Sequence, residues 1–242
     1  MRIEGARELL QQARSIAVLT GAGISAESGV PTFRGAGGLW KQFRAEDLAT
    51  PDAFRRDPQL CWEWYDWRRG ILANVKPNAG HSAIAELERL TQRFMLITQN
   101  VDGLHQQAGS ERVLEIHGSI WRLQCTQCGK AWLDRTVPLN LLPRCECGGL
   151  ARPGVVWFGE NLNPEVWRAA ERATHASDVF LVVGTSALVY PAAGLVPLAR
   201  SAGAKIIEVN LEPTPLSGLV DYAVTGPAGE ILPRLVGSDS AQ

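Results

Sequence analysis

The strongest constraint on the fold of this chain is a short apolar run that ends in a glycine-rich turn. Residues Ser15–Thr20 read Ser-Ile-Ala-Val-Leu-Thr and lead directly into Gly21-Ala22-Gly23. A short apolar run of this kind predicts a buried strand of a parallel sheet. Glycines after such a strand allow a tight turn close to a pyrophosphate, and the N-terminus of a following helix offers free N–H groups. The spacing to Gly29 is G-x-G-x5-G, so the turn indicates a dinucleotide site only together with other features.

The same strand pattern recurs along the chain in alternation with helical patterns. Further apolar runs lie at residues 93–98, 178–183 and 204–209. Helical patterns lie at residues 78–90, 164–174 and 191–200. This alternation predicts an α/β protein with a Rossmann-like, doubly wound, mostly parallel sheet. Ligands of such sheets bind at the carboxyl ends of the strands, where Gly184-Thr185-Ser186 and Asn210 also lie.

Two segments interrupt the alternation and predict a second, smaller lobe. Residues 31–76 combine a loop with aromatic helical stretches, and residues 119–153 contain four cysteines. Residues 1–30, 77–118 and 154–242 would then form the Rossmann-like domain. The net charge of −1 argues against nucleic acid as a partner. Because no apolar run is long enough for a membrane span or a signal peptide, we expect a cytoplasmic protein without membrane contact. We also expect a monomer.

Four of the five cysteines have metal-ligand spacing. They form a Cys125-x-x-Cys128 pair and a tighter Cys145-x-Cys147 pair that two glycines follow. Four thiolates fill a tetrahedral zinc ion, so the pattern predicts one structural zinc in a zinc ribbon. The alternative is a thiol redox pair. Cys61 lies apart in an aromatic stretch and is interpreted as buried packing.

A set of motifs in a fixed order resembles the sirtuin family. In chain order they are Gly21-Ala22-Gly23-Ile24-Ser25 with Gly29-Val30-Pro31-Thr32-Phe33-Arg34-Gly35, Thr98-Gln99-Asn100-Val101-Asp102-Gly103-Leu104-His105, His117-Gly118, Gly154-Val155-Val156-Trp157-Phe158-Gly159-Glu160, Gly184-Thr185-Ser186 and Asn210. The resemblance spans nearly the whole chain, with the cysteine module in its expected place. The departures are Thr32 for the family's usual Asp, Val101 for Ile, and Ala228 where many relatives have Cys.

The resemblance implies an NAD-dependent protein-lysine deacylase that consumes NAD and gives nicotinamide and O-acyl-ADP-ribose. In such enzymes the acyl oxygen of the lysine substrate attacks the nicotinamide ribose, and a histidine then acts as general base on a ribose hydroxyl. His117 takes that role and Asn100 is the second catalytic residue. Imidazole suits the role because its ordinary pKa lies near working pH. The alternatives are a buried structural histidine and, for Asn100 and Asp102, an Asx turn. We interpret the other three histidines as structural.

The resemblance also assigns ligand contacts residue by residue. The expected contacts with NAD are Gly21, Ala22, Gly23, Ser25, Phe33, Arg34, Trp40, Gln99, Asn100, Val101, Asp102, Gly184, Thr185, Ser186, Asn210, Leu211, Glu212 and Ala228. The expected contacts with the acylated peptide are Val156, Phe158, Gly159 and Glu160. Segments 154–160 and 186–190 are expected to bind the peptide as an added strand, through main-chain pairing.

A Tyr-x-x-Arg pair in the helical insertion predicts the acyl group. Tyr65 and Arg68 are three residues apart and therefore share one face of a helix. The pair resembles the desuccinylase and demalonylase branch of the family, in which Ala49 corresponds to a small residue that widens the acyl pocket. An acyl chain that ends in a carboxylate needs a guanidinium and a hydroxyl donor. Arg69 competes for this role, and the alternative is a packing helix whose arginines extend to water.

Three other functions are compatible with parts of the sequence. A mono-ADP-ribosyltransferase shares the first half of the reaction, and an NAD-sensing binding module shares the dinucleotide site without turnover. The intact His117 and the Tyr65/Arg68 pair favour deacylation over ADP-ribosyl transfer. The complete set His117, Asn100 and Asp102 argues against the binding module. A zinc-ribbon nucleic-acid binder is disfavoured, because residues 119–153 contain only five basic residues against two acidic ones.

Overall fold

The computed structural model describes residues 2–31, 44–186 and 188–237. Its strands are β1 (Ser15–Thr20), β2 (Arg93–Thr98), β3 (Val113–Glu115), β4 (Gly118–Cys125), β5 (Ala131–Leu133), β6 (Ala151–Val155), β7 (Val179–Val183), β8 (Lys205–Asn210) and β9 (Tyr222–Thr225). Its α-helices are α1 (Arg2–Gln12), α2 (Gly23–Ala26), α3 (Ala45–Leu48), α4 (Pro51–Arg56), α5 (Pro58–Ala73), α6 (Ala79–Leu90), α7 (Leu104–Gln107), α8 (Pro164–His175), α9 (Leu195–Ser201) and α10 (Ala228–Val236).

The larger sheet has six strands in the order β3-β2-β1-β7-β8-β9, and each neighbouring pair is parallel. From β1 the chain moves outward through β2 and β3, and then returns to the other side of β1 as β7. The strand order therefore reverses between β1 and β7, which opens a crevice at the carboxyl ends of these two strands. The predicted doubly wound parallel sheet is confirmed.

The central strands are buried on both faces. In β1, Ile16 and Val18 pack in a cluster with residues of α1, α6 and α10. Ala17 and Leu19 point to the opposite face and pack in a cluster with residues of α8 and α9. Because neighbouring side chains of a strand alternate between faces, a strand covered on both sides must be apolar throughout.

Most predicted elements have the expected bounds. The runs at 15–20 and 93–98 are β1 and β2, and α6 begins where Asn78 accepts hydrogen bonds from two helix N–H groups. The helix predicted at 191–200 is instead a 3-10 turn, Ala192–Gly194, followed by α9. The edge strands β3 and β9 were not predicted, because both are short and only partly buried.

The helical insertion and the cysteine segment pack together. Strands β5, β4 and β6 form an antiparallel sheet of three strands. Its apolar side chains share one cluster with α3, α4 and α5. The predicted domain boundaries stay a prediction, although β4 crosses the boundary at 118/119 because Gly118 already pairs with Val155. In the described part of the chain, no helix is both long and apolar enough to cross a membrane.

Candidate functional site

Polar side chains at four strand ends form one hydrogen-bonded chain across the crevice. Asn210, at the end of β8, donates from Nδ2 to the carbonyl of Thr185, 2.8 Å away. Gln99 follows β2 and donates from Nε2 to Thr185 Oγ1 at 3.0 Å. The Gln99 backbone N–H in turn donates to Thr20 O, at the end of β1. The predicted convergence of strand ends is present at the point where the strand order reverses.

The glycines of the turn allow two strand ends to pack against each other. Gly23 N donates to Gly184 O at 2.8 Å, and a Cβ on Gly23 would lie 2.7 Å from the same oxygen. Gly184 has φ 58°, and its own Cβ would collide with Ile24 N. The turn N–H groups that already donate within the protein are those of Gly21, Gly23, Ile24 and Ser25.

The expectation of free N–H groups at the following helix is therefore wrong for most of this turn. Helix α2 has only four residues, so its dipole is small as well. The glycines instead give the crevice a floor without side chains, which lets a dinucleotide approach the backbone closely. The residues present fit NAD in this respect, and the individual contacts with it stay predictions.

His117 is held in the neutral form that can accept a proton. Its Nδ1 lies 3.0 Å from the carbonyl oxygen of Gln99. A carbonyl only accepts hydrogen bonds, so Nδ1 carries the ring proton and Nε2 keeps its lone pair. Burial lowers the pKa of His117 and outweighs the opposing effect of the Gln99 hydrogen bond. Gly118 fixes the backbone beside the ring, because it has φ 75° and its Cβ would collide with Gly154 O.

Asn100, Ser25 and Asp102 form a buried polar row beside the glycine turn. Asn100 Nδ2 donates to Gly21 O at 3.1 Å and to Ser25 Oγ at 3.2 Å. Both amide hydrogens are thus used, and the group presents only its Oδ1 to a ligand. Ser25 Oγ donates to Asp102 Oδ2 at 2.8 Å, while Asp102 Oδ1 accepts from Leu104 N. The Asx-turn alternative is thus correct for Asp102, and burial raises the pKa of its carboxyl group.

Two histidines lie behind this polar row and are fully buried. His105 Nε2 lies 3.0 Å from Thr20 Oγ1. The Thr20 hydroxyl donates its proton to Thr98 Oγ1. His81 Nδ1 accepts from Asn78 N, and burial lowers the pKa of His81 to about 4. Both histidines therefore have a structural role next to the polar row, as interpreted from the sequence. The Thr20–Thr98 pair was missed, although both threonines end apolar runs that pair in register.

Helix α5 carries the predicted acyl-recognition pair. The N-terminus of α5 is stabilised, because the Asp57 side chain accepts a hydrogen bond from Leu60 N at 2.9 Å and Pro58 occupies the first turn. The Tyr65 side chain is buried, and burial raises the pKa of its phenol. Burial also lowers the pKa of Arg68, while the nearby Tyr65 and Asp102 oppose this effect. The Arg68 guanidinium therefore lies near both the Tyr65 phenol and the Asp102 carboxyl group.

Arg69, the competing candidate, is used inside the protein. Its side chain is 0% exposed and donates to the carbonyl oxygens of Ile120, Asp134 and Thr136. It also forms an ion pair with the Asp134 carboxylate at 3.1 Å. These contacts fix β4 and the loop after β5 to α5. The geometry thus assigns a structural role to Arg69 and leaves Arg68 as the candidate for acyl recognition.

The predicted peptide-binding segment forms a turn whose N–H groups are largely occupied. Val156 N donates to His117 O, and Phe158 N donates to Ala49 O, both at 2.9 Å. Glu160 N closes the turn on Trp157 O at 3.0 Å. A peptide that pairs with this segment must therefore donate its own N–H groups, mainly to carbonyl oxygens of the segment. The side chain of Phe158 is 51% exposed and can contact a peptide directly.

Glu160 has a structural task in addition to its predicted one. Its two carboxylate oxygens accept from Arg152 at 2.6 and 2.8 Å. One of them also accepts from Trp157 N at 2.9 Å. These bonds lower the pKa of Glu160 against the opposing effect of burial. Any contact of Glu160 with a peptide must therefore coexist with this ion pair.

The four predicted zinc ligands lie at one point. Their Sγ atoms all lie within 4.8 Å of one another, and the closest pairs are Cys125–Cys147 at 3.5 Å and Cys128–Cys145 at 3.7 Å. A tetrahedral zinc ion with Zn–S bonds of about 2.3 Å requires separations close to these. Gly149 is needed here, because its Cβ would lie 2.7 Å from Cys125 Sγ. The donor set fits a structural zinc.

The remaining predicted NAD contacts differ in exposure, and some lie outside the described residues. Ala228 is buried at the start of α10, and Val101 is partly buried after β2. Leu211 and Glu212 are exposed in the loop after β8. The predicted contacts that lie outside the described residues are Phe33, Arg34 and Trp40.

Comparisons with known proteins agree with the resemblance in the motifs. The profile of the Sir2 family matches residues 21–191. NAD-dependent protein deacylase 2 of Pyrobaculum aerophilum is 56% identical over 231 residues, which cover 95% of this chain and 92% of that protein. The mitochondrial NAD-dependent protein deacylase sirtuin-5 of Canis lupus familiaris is 46% identical over 256 residues, covering 94% and 83%. The crystal structure of a Sir2 homolog–NAD complex is similar with a TM-score of 0.93 at 47% identity, covering 97% and 93%.

Proposed function

Because this chain belongs to the Sir2 family, we propose that it is an NAD-dependent protein-lysine deacylase that acts on acetyl-lysine and on succinyl- and malonyl-lysine. The observation that carries the proposal is His117, whose Nδ1–H is bound to the Gln99 carbonyl so that Nε2 is free to accept a proton. NAD supplies the ribose carbon from which nicotinamide leaves. His117 Nε2 then takes the proton of a ribose hydroxyl, which is general-base catalysis by a neutral imidazole.

The polar row beside the turn supports the same reaction. Asn100 is fixed through both amide hydrogens, so its Oδ1 can orient a hydroxyl or an amide of the bound dinucleotide. The buried Thr20 and Thr185 and the partly buried Gln99 hold the strand ends in place. Because these groups are already hydrogen-bonded within the protein, little reorganisation is needed when the ligand binds.

The acyl preference rests on Tyr65 and Arg68. A succinyl or malonyl chain ends in a carboxylate, and a guanidinium next to a phenol hydroxyl matches that group. An acetyl group has no charge to offer and gains nothing from the pair. The buried Ala49 and the aromatic rings of α5 provide the apolar surroundings in which such a contact is strong.

The decisive experiment compares Arg68→Met with wild type on acetyl- and succinyl-lysine peptides. Removal of one partner of a buried charge pair costs about 2–5 kcal/mol, or roughly 30-fold to more than 1000-fold in rate. We expect this loss in kcat/KM for the succinyl peptide and a far smaller one for the acetyl peptide. Arg55→Met in α4 is the control, because Arg55 is an exposed arginine of the same helical module.

Three outcomes contradict parts of the proposal. Equal losses on both peptides would remove the assignment of Arg68 to the acyl carboxylate. Mass spectrometry that finds ADP-ribosylated protein instead of O-acyl-ADP-ribose would replace deacylation by ADP-ribosyl transfer. A His117→Tyr variant should form no O-acyl-ADP-ribose from acyl peptide, because the ribose hydroxyl lacks its base, and formation of that product at the wild-type rate would contradict the role of His117.

The proposal extends to the setting of the enzyme. We propose a cytoplasmic monomer whose partners are acylated lysine side chains and not nucleic acid. The near-zero net charge and the cluster of reduced cysteines support this setting. Light scattering after size-exclusion chromatography should give the mass of one chain, and a dimer mass would contradict that part.

A further inference from the structure

Trp157 makes a hydrogen bond that controls what the Tyr65 hydroxyl can do. The indole Nε1–H of Trp157 donates to Tyr65 OH at 2.9 Å, and both side chains are buried. A phenol has one proton to donate, and its oxygen accepts through lone pairs. Because indole is only a donor, this contact occupies the oxygen and leaves the phenol proton for another acceptor. Tyr65 is therefore set up as a donor.

The indole ring is itself held in place from two sides. The Arg152 guanidinium lies 3.5 Å from the centroid of the Trp157 ring, and Arg152 is bound to Glu160 through two hydrogen bonds. Glu160 also accepts the backbone N–H of Trp157. The Phe54 ring packs against the indole with centroids 5.2 Å apart. The Arg152–Glu160 pair thus fixes the ring that orients Tyr65.

We propose that Trp157 is a positioning residue for acyl specificity, which directs the Tyr65 proton toward the carboxylate of a succinyl or malonyl chain. The inference rests on the proposed deacylase function and on Arg68 as the cationic partner of that carboxylate. A phenol that accepts a hydrogen bond is polarised and donates more strongly. Without the indole donor, Tyr65 loses this polarisation and its oxygen is free to accept from another group, which turns the proton away from the substrate.

The test measures the ratio of kcat/KM for succinyl-lysine peptide to that for acetyl-lysine peptide. We expect Trp157→Phe to lower this ratio about tenfold, the effect of one weakened hydrogen bond to a charged group. The change should lie mainly in KM for the succinyl peptide, because the acyl carboxylate does not take part in the reaction.

A matched control comes from another buried tryptophan of the same region. Trp62 lies on α5, is buried like Trp157, and donates from Nε1 to Ala151 O at 2.9 Å. Trp62→Phe removes the same kind of bond, keeps an aromatic ring beside the Tyr65 ring and leaves the bond from Trp157 to Tyr65 OH in place. Its ratio should equal that of wild type. An equal fall of the ratio in Trp62→Phe would show that a general loss of packing around α5 lowers the ratio, and would overturn the proposal.

A double-mutant cycle separates positioning from packing. In a Tyr65→Phe background the phenol proton is absent. The double variant with Trp157→Phe should therefore have the same ratio of kcat/KM values as Tyr65→Phe alone. A further tenfold fall in the double variant would overturn the proposal, and so would an unchanged ratio in Trp157→Phe alone.

If Trp157→Phe fails to fold, Arg152→Lys tests the same arrangement. Lysine lacks the planar stack and the two-point contact with Glu160, so the ratio should fall in the same direction; an unchanged ratio there overturns the proposal.

Failure of this inference is distinct from failure of the proposed function. If Arg68→Met abolishes desuccinylation while Trp157→Phe leaves the ratio unchanged, the function stands and the positioning role falls. If the wild-type protein acts on neither peptide, the proposed function itself falls.

Discussion

Two adjacent arginines of α5 should respond to the same substitution in opposite ways. Arg69 is 0% exposed and binds three backbone carbonyl oxygens and the Asp134 carboxylate. In Arg69→Met the four acceptors lose their donor, and those that stay buried cannot exchange it for water. The charge of Arg68 interacts instead with Tyr65 and Asp102. We therefore expect Arg69→Met to lower stability and Arg68→Met to change substrate preference.

The size of the stability loss follows from burial. Breaking a buried ion pair by removal of one partner costs about 3–5 kcal/mol. The Asp134 side chain is 22% exposed and keeps part of its hydration, so the lower end of that range applies, about 3 kcal/mol. For a protein of this size, 1 kcal/mol shifts Tm by about 2–4 °C, which gives a fall in Tm of about 6–12 °C.

Thermal unfolding followed by circular dichroism gives the required measurement, with both variants fully loaded with zinc and at equal concentration. We expect Arg68→Met to melt close to wild type and Arg69→Met to melt at the lower temperature with an unchanged acyl preference of the folded fraction. A Tm of Arg69→Met within about 2 °C of wild type would refute the energetic argument. A selective loss of desuccinylation in Arg69→Met would refute the assignment of the two roles.

Two further predictions concern the pH profile and the metal. Protonation of His117 Nε2 removes the base, and the pKa of His117 lies below its ordinary value of 6.5. Activity should therefore be complete at pH 7 and fall as pH drops through an inflection below 6.5 in a plot of log kcat/KM; an inflection above 7 would contradict this. Removal of zinc with phenanthroline should unfold the three-stranded sheet and abolish activity, because the free thiols cannot replace the four Zn–S bonds that hold this segment together. Full activity and an unchanged melting curve after verified zinc loss would exclude a structural role.

Features set by neighbouring residues were predictable from the sequence. The bounds of β1 and β2 follow from apolar runs, and the start of α6 follows from Asn78. The cysteine cluster follows from spacing within two short turns. Each of these depends on local chemistry alone, so one sequence is sufficient to predict it.

Features set by distant residues were not predictable in the same way. The glycine turn was explained by ligand approach, whereas Gly23 is also required by the backbone of Gly184, which lies far along the chain. The choice between Arg68 and Arg69 depends on carbonyl groups of β4 and the loop after β5. Helical periodicity separates the two side chains but does not reveal which one meets those carbonyls.

The segment 156–158 connects catalysis with acyl recognition through three consecutive residues. Val156 N donates to the carbonyl of His117, the Trp157 indole donates to Tyr65 OH, and Phe158 N donates to the carbonyl of Ala49. A backbone shift of this segment therefore moves His117, the Tyr65 hydroxyl and Ala49 together. Since a bound peptide would lie against the same segment, peptide binding acts on all three contacts at once. Substitutions at Val156 and Phe158 should then change kcat and KM jointly, whereas those at Trp157 and Arg68 should affect mainly the discrimination between acyl groups.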